Sequence, residues 1–172
     1  MAKARSKGTS DGKGRSLGTG RSVSIDWLNK GRARELTAIL TYMAQHYELE
    51  DADVGQLARV AKDVGIQEMK HAEAFAERIL FLGGTPVTEP DAKIKRGMSV
   101  PEMVKADIAL ETQAVAMYNA AAQACEDAGD HTTAQLFIRI LEEEEGHVDL
   151  FQNIQDHVAK HGNAYLATLI GE

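Results

Sequence analysis

The sequence predicts an all-α protein: a four-helix bundle with one long crossover connection and a short fifth helix at the C-terminus. Three observations carry that reading. The 172 residues are rich in helix formers and hold only three prolines. Apolar residues recur at alternating intervals of three and four in four long segments. Two tight turns and one long connector separate those segments.

Each element has its own signals. The first helix is expected from Ser24, a residue type suited to the N-cap, to Glu50. The second starts near Asp51–Asp53 and stops before Gly83-Gly84. No helical period runs through Pro86 and Pro90 to Met98, so this stretch is a connector. Ser99-Val100-Pro101-Glu102 reads as a capping box with an early proline, opening a third helix that ends near Gly129-Asp130. A fourth runs from His131 to Lys160. After the break at Gly162, Ala164 to Ile170 form the short fifth. The tight turns make helices one and two, and helices three and four, antiparallel pairs. The connector of about 16 residues can stretch roughly 50 Å, and a helix of about 30 residues is roughly 45 Å long. The connector can therefore return along the bundle, leaving helices two and three parallel.

Charge and composition narrow the class. From Met1 to Val23 six basic residues face one acid, so this Gly/Ser-rich stretch carries +5 of a total of −7 and the remainder carries −12. Residues 1–23 are expected to be a disordered tail and 24–172 the folded domain. An acidic body suits a protein that attracts cations. No apolar run approaches the roughly 20 residues that cross a bilayer. The N-terminal stretch lacks the apolar core of a secretory signal, so a cytoplasmic protein is expected. A single cysteine, Cys125, excludes an intramolecular disulfide and a four-thiolate metal site within one chain.

The chemistry lies in the seams. Helix one contributes Leu28, Glu35, Ile39 and Tyr42; helix two Leu57, Ala61, Val64, Glu68, His71 and Phe75. Helix three contributes Val104, Ile108, Glu111, Val115, Tyr118, Ala122 and Cys125; helix four Phe137, Leu141, Glu144, His147, Phe151, Ile154 and Val158. Four glutamates and two histidines thus interrupt core-facing stripes, where an unpaired carboxylate costs several kcal/mol. Glu35 and Glu68 are 33 residues apart, as are Glu111 and Glu144, with a turn near the middle of each interval. Both members of a pair therefore sit at one height. Tyr42 and Tyr118 each follow a seam glutamate by seven residues, so the two halves form a pseudo-repeat. A lone Glu-x-x-His is more often an ordinary buried polar pair. Two of them, each matched by a seam glutamate at equal spacing, describe a carboxylate-bridged di-iron or di-manganese site, and carboxylate-rich ligation favours Fe or Mn over Zn or Cu.

Four stretches resemble bacterioferritin: Leu-Asn-Lys-Gly-Arg-Ala-Arg-Glu-Leu-Thr-Ala-Ile (28–39), Gln-Glu-Met-Lys-His-Ala-Glu (67–73), Glu-Arg-Ile-Leu-Phe-Leu-Gly-Gly-Thr-Pro (77–86) and Leu-Glu-Glu-Glu-Glu-Gly-His (141–147). The resemblance spans residues 24–172. It implies a ferritin-like bundle in a hollow cage of twenty-four identical subunits built from two-fold dimers. Each bundle would hold two irons, oxidise Fe²⁺ with O₂ or H₂O₂ and pass Fe³⁺ to a mineral core. By resemblance the ligands are Glu35, Glu68, His71, Glu111, Glu144 and His147, with Glu68 and Glu144 bridging. Tyr42 matches a tyrosine beside the family's centre. Met69, one residue off the seam, matches the methionine that binds haem or a related iron porphyrin with its twin across a two-fold axis. A second apolar stripe of Leu36, Leu40, Met43 and Tyr47 is consistent with such an interface. An electron-donor protein for iron release is also implied. Asp63 and Gln67 stand where some members carry a histidine and an aspartate that help an inner-surface iron site, and Gln67 is uncharged.

Two other readings attach to the tail. Its +5 charge suits phosphate, as in a DNA-protecting ferritin-like cage, though most such tails are simply solvated. Ser16-Leu17-Gly18-Thr19-Gly20 faintly resembles peptides that target cargo into a larger protein shell. A rubrerythrin-like peroxidase is disfavoured by the lone cysteine. Cys125 reads as a small buried hydrophobe. Glu142, Glu143 and Glu145 read as a solvated or cavity-facing surface. His46, His131, His157 and His161 have no partner spacing.

Overall fold

A computed structural model of the chain describes residues 18–170. Four long helices, α1 (Thr19–Asp51), α2 (Gly55–Leu82), α3 (Val100–Asp127) and α4 (His131–His161), are followed by the short α5 (Asn163–Thr168). Helix α1 pairs with α2 and α3 with α4, each across a turn of three residues. No helix among the described residues is long and apolar enough to cross a membrane.

Local chemistry accounts for the helix ends. At the start of α3 the Ser99 amide donates to Glu102 Oε2 at 2.9 Å, closing the expected capping box with Pro101 in the first turn. Helix α4 opens on Asp130, whose carboxylate accepts from the Thr133 amide at 3.1 Å. Arg78 of α2 donates to the same oxygen, reaching Asp130 Oδ1 at 2.7 Å, and to Thr133 Oγ1 at 2.9 Å.

The start of α1 differs from the expectation. The helix begins at Thr19, and Ser24, expected as the N-cap, is fully buried inside it. The extra turn rests on the far end of α3: a Cβ added at Gly20 would lie 2.6 Å from the Ala128 carbonyl oxygen. Glycine at that contact permits the approach, and the contact extends a helix that local capping would have stopped. Residues 19–23, expected in the tail, are helical. Residues 1–17, which hold most of the basic tail and the start of the targeting-like stretch, lie outside the described residues.

The connector between α2 and α3 returns alongside α1. Val87 N–H donates to Asn29 Oδ1 at 2.9 Å, and Arg32 Nε donates to the Val87 carbonyl at 2.8 Å. Farther along, Asp91 accepts from Thr37 Oγ1 at 2.6 Å and pairs with Arg34 at 3.1 Å, and Arg96 reaches Glu48 at 2.7 Å. From Asn29 to Glu48 is about 30 Å of helix, so the connector carries the chain back along the bundle and leaves α2 and α3 parallel. This is the ferritin-like crossover.

Two apolar clusters fill the bundle. One holds Leu28, Phe75, Tyr118 and Phe137, the other Tyr42, Val64, Met103 and Phe151. Between them lies a polar layer.

Candidate metal centre

Every long helix contributes to that layer. Glu35 and Tyr42 come from α1, Glu68 and His71 from α2, Glu111 and Tyr118 from α3, and Glu144 and His147 from α4. The four carboxylates and two imidazoles are each at most 5% exposed. They form two overlapping sets, Glu35/Glu68/His71/Glu144 and Glu68/Glu111/Glu144/His147, whose ligand atoms lie within 4.8 Å of one another. Glu68 and Glu144 belong to both. The two imidazole rings stand 6.2 Å apart on opposite sides of the shared pair.

Hydrogen bonds orient the outer members. Tyr42 donates its hydroxyl proton to Glu111, and Tyr118 donates to Glu35. Each tyrosine thus holds the glutamate of the other half of the repeat, a diagonal arrangement that spacing alone did not reveal. His71 Nδ1 lies 2.9 Å from Glu68 Oε2, and His147 Nδ1 lies 3.3 Å from Glu144 Oε2, so in each Glu-x-x-His both side chains face one point.

The electrostatics are those of crowded acids. Burial, then the charges of Glu68 and Glu144, pushes the Glu35 carboxyl well above the usual carboxylate range. Burial likewise raises Glu111. Burial alone would lower the two imidazoles, but the carboxylates facing them overcome it. Glu144 and Glu68 bring His71 up to about 10, and Glu111, Glu144 and Glu68 bring His147 up to about 12. Glu144 moves the other way: the facing imidazoles of His147 and His71 outweigh its burial and lower it to about 2.

Even so, the polar atoms do not satisfy each other. Glu68 Oε1 and Glu144 Oε1 are buried and accept no hydrogen bond, although His147 Nδ1 and His71 Nδ1 stand 3.0 Å away. One N–H cannot serve two or three oxygens at good angles. Buried, unpaired carboxylate oxygens common to both sets suit a pair of hard cations, with one imidazole for each.

Aromatic rings wall the layer. Phe75 lies 5.0 Å from Phe137 and 5.6 Å from Tyr118 between centroids, and Tyr42 stacks on Phe151 at 5.6 Å. A Cβ at Gly31 would stand 2.9 Å from Phe75, so only glycine lets α1 approach this group. Water is thereby kept from both ends of the acid cluster, which strengthens every interaction within it.

The other predicted residues fall into distinct places. Met69 is 55% exposed, as are Leu40 and Tyr47 to a similar degree, so it takes no part in the buried layer. Cys125 is buried, and burial pushes its thiol up. His46 is buried with Nδ1 2.9 Å from the Ala58 carbonyl, a structural contact between α1 and α2. The contacts of four residues escaped sequence reasoning. Glu143, read as surface, has a carboxylate 3.0 Å from His71 Nε2, and Gln67 meets His147 Nε2 at 2.8 Å. Both immediately precede a shared glutamate, a signal already present in the repeat. Asp107 is buried on α3, accepts from Gln45 Nε2 at 2.7 Å, and is pushed up to about 7 by burial. No sequence signal marks that pair.

Comparison with known proteins agrees with this geometry. Residues 25–160 match the ferritin-like domain. Bacterioferritin of Desulfovibrio desulfuricans is 45% identical over 147 residues, covering 86% of this chain and 82% of that one. Bacterioferritin of Brucella melitensis is 33% identical over 80% of this chain and 86% of its own. Among solved structures, D. desulfuricans bacterioferritin, described with a di-iron site in different catalytic states, has a TM-score of 0.88 at 43% identity, covering 89% of this chain and 90% of that one. Rhodobacter capsulatus bacterioferritin, described with a metal-free dinuclear site and a haem iron, has a TM-score of 0.85 at 28% identity, covering 88% and 95%. Likeness of sequence over most of both chains, together with the shared bundle, makes this chain a member of the bacterioferritin family.

Proposed function

We propose that the chain is a ferroxidase that stores iron: Glu35, Glu68, His71, Glu111, Glu144 and His147 hold two irons, Fe²⁺ is oxidised there, and Fe³⁺ passes to a mineral in a cage of identical subunits. The observation that carries this reading is the pair of overlapping four-residue sets sharing Glu68 and Glu144. When bound, two irons supply two electrons, so that two Fe²⁺, O₂ and two protons give two Fe³⁺ and H₂O₂, or two Fe²⁺, H₂O₂ and two protons give two Fe³⁺ and two H₂O.

The protein's own contribution is binding, orientation and exclusion of water. Four ionised carboxylates offset the charge of two divalent ions, and the dry aromatic walls make that compensation strong. Glu68 and Glu144 belong to both sets and would hold the two ions near one another, within reach of a single oxidant molecule. Tyr42 and Tyr118 keep Glu111 and Glu35 aimed inward. Likeness to the R. capsulatus protein supports a haem or related porphyrin at the exposed Met69, between two subunits of the cage. A cytoplasmic location and an electron-donor partner for iron release accompany this reading.

The test is aerobic addition of Fe²⁺ to the purified protein. Wild type oxidises two Fe²⁺ per subunit in a fast phase, and Glu68→Ala, which removes an acid from both sets, abolishes that phase. Equal rates in the two proteins would remove the di-iron centre from this reading.

A further inference from the structure

Each imidazole has two nitrogens, and the acid cluster uses one. Nδ1 of His71 and of His147 faces the shared carboxylates, while Nε2 points outward. His71 Nε2 donates to Glu143 Oε2 at 3.0 Å, and His147 Nε2 donates to Gln67 Oε1 at 2.8 Å. Both contacts cross between α2 and α4. Gln67 precedes Glu68 and Glu143 precedes Glu144, so the two occupy equivalent positions of the repeat. They are not chemically equivalent. A carboxylate backs His71, and a neutral carboxamide backs His147.

We propose that Glu143 and Gln67 are positioning residues that make the two metal positions unequal, so that the His71 position binds a divalent ion more tightly than the His147 position. The inference rests on the two-metal reading above. Donation from Nε2 fixes the tautomer and turns the Nδ1 lone pair toward the cluster. A carboxylate acceptor adds to the basicity of the imidazole and to the negative field at the metal, whereas an amide oxygen orients the ring and adds no charge. The ligand sets themselves cannot supply this difference. Each has one glutamate held by a tyrosine, one histidine and the same shared pair. Partners of this kind typically change metal affinity by 10–100-fold, and the Glu143 side chain is 48% exposed, so solvent screening places the effect near tenfold.

The experiment is a Co²⁺ titration of the chelator-treated full-length protein, followed by calorimetry and by visible ligand-field absorption. Wild type takes up two Co²⁺ per subunit, the first about tenfold more tightly than the second. Gln67→Glu raises the second constant toward the first, and Glu143→Gln lowers the first toward the second. Gln67→Ala, which leaves His147 Nε2 without its acceptor, weakens the second step and alters its absorption band at an unchanged melting temperature, and Gln67→Glu at the same position restores both. Two equal constants in wild type, or a gap that Gln67→Glu leaves unchanged, would overturn the proposal. Binding of fewer than two Co²⁺ per wild-type subunit would instead overturn the two-metal reading on which it stands.

Discussion

Loading the acid cluster with two divalent ions is expected to expel at least about two protons per subunit at pH 7, one from each imidazole. Burial lowers both imidazoles less than the surrounding carboxylates raise them, so His71, up to about 10, and His147, up to about 12, each hold a proton on the cluster-facing nitrogen. Burial, the largest cause, pushes Glu35 and Glu111 above the usual carboxylate range, so any proton retained there adds to that number. Ligation requires neutral imidazole and ionised carboxylate, so both imidazole protons leave. The sign follows: raising the pH removes the competing proton and strengthens binding. One proton per ion corresponds to roughly a tenfold gain in affinity per ion for each pH unit near neutrality. The assay is a pH-stat titration of chelator-treated protein with Zn²⁺, which avoids redox chemistry. Release of fewer than two protons would refute the assignment of a proton to each imidazole.

Three further outcomes are expected. Burial raises Asp107 to about 7, roughly three pH units above its ordinary value, so its ionised form costs the fold up to about 4 kcal/mol. Wild-type stability should therefore fall as the pH rises from about 4 to about 7. Asp107→Asn should melt closer to wild type at pH 5 than at pH 8.5, where it melts above it, and an equal difference at both would refute this. Phe137→Ala opens a cavity beside Phe75 and Tyr118 and should cost about 3–5 kcal/mol in chemical denaturation. A loss below about 1 kcal/mol would mean the wall does not depend on that ring. Met69→Leu should abolish porphyrin absorption in the visible spectrum while leaving Fe²⁺ oxidation intact, and retained porphyrin would exclude Met69 as its ligand.

How much of this was legible in the sequence depended on range. The helix period is local, and it alone put Glu35, Glu68, His71, Glu111, Glu144 and His147 on core-facing seams, where the structure buries them. Equal spacing about two turns set their common height, and the length of the connector required the crossover. A capping box is also local, and Ser99 to Glu102 behaves as read. The start of α1 is not local, because Thr19 to Val23 are helical on the strength of Gly20 meeting the end of α3.

Cross-helix partners were decided by the tertiary structure alone. Whether Tyr42 serves Glu35 or Glu111, and whether Gln67 and Glu143 face solvent or an imidazole, depends on the rotation and axial offset of two packed helices. A shift of one residue along an axis is about 1.5 Å, enough to break any of these bonds without disturbing a seam. The amino-acid order therefore determined which groups enter the core and at what height. Only the packed bundle determined which hydrogen bond each of them makes, because that choice turns on distances smaller than the spacing of residues along a helix.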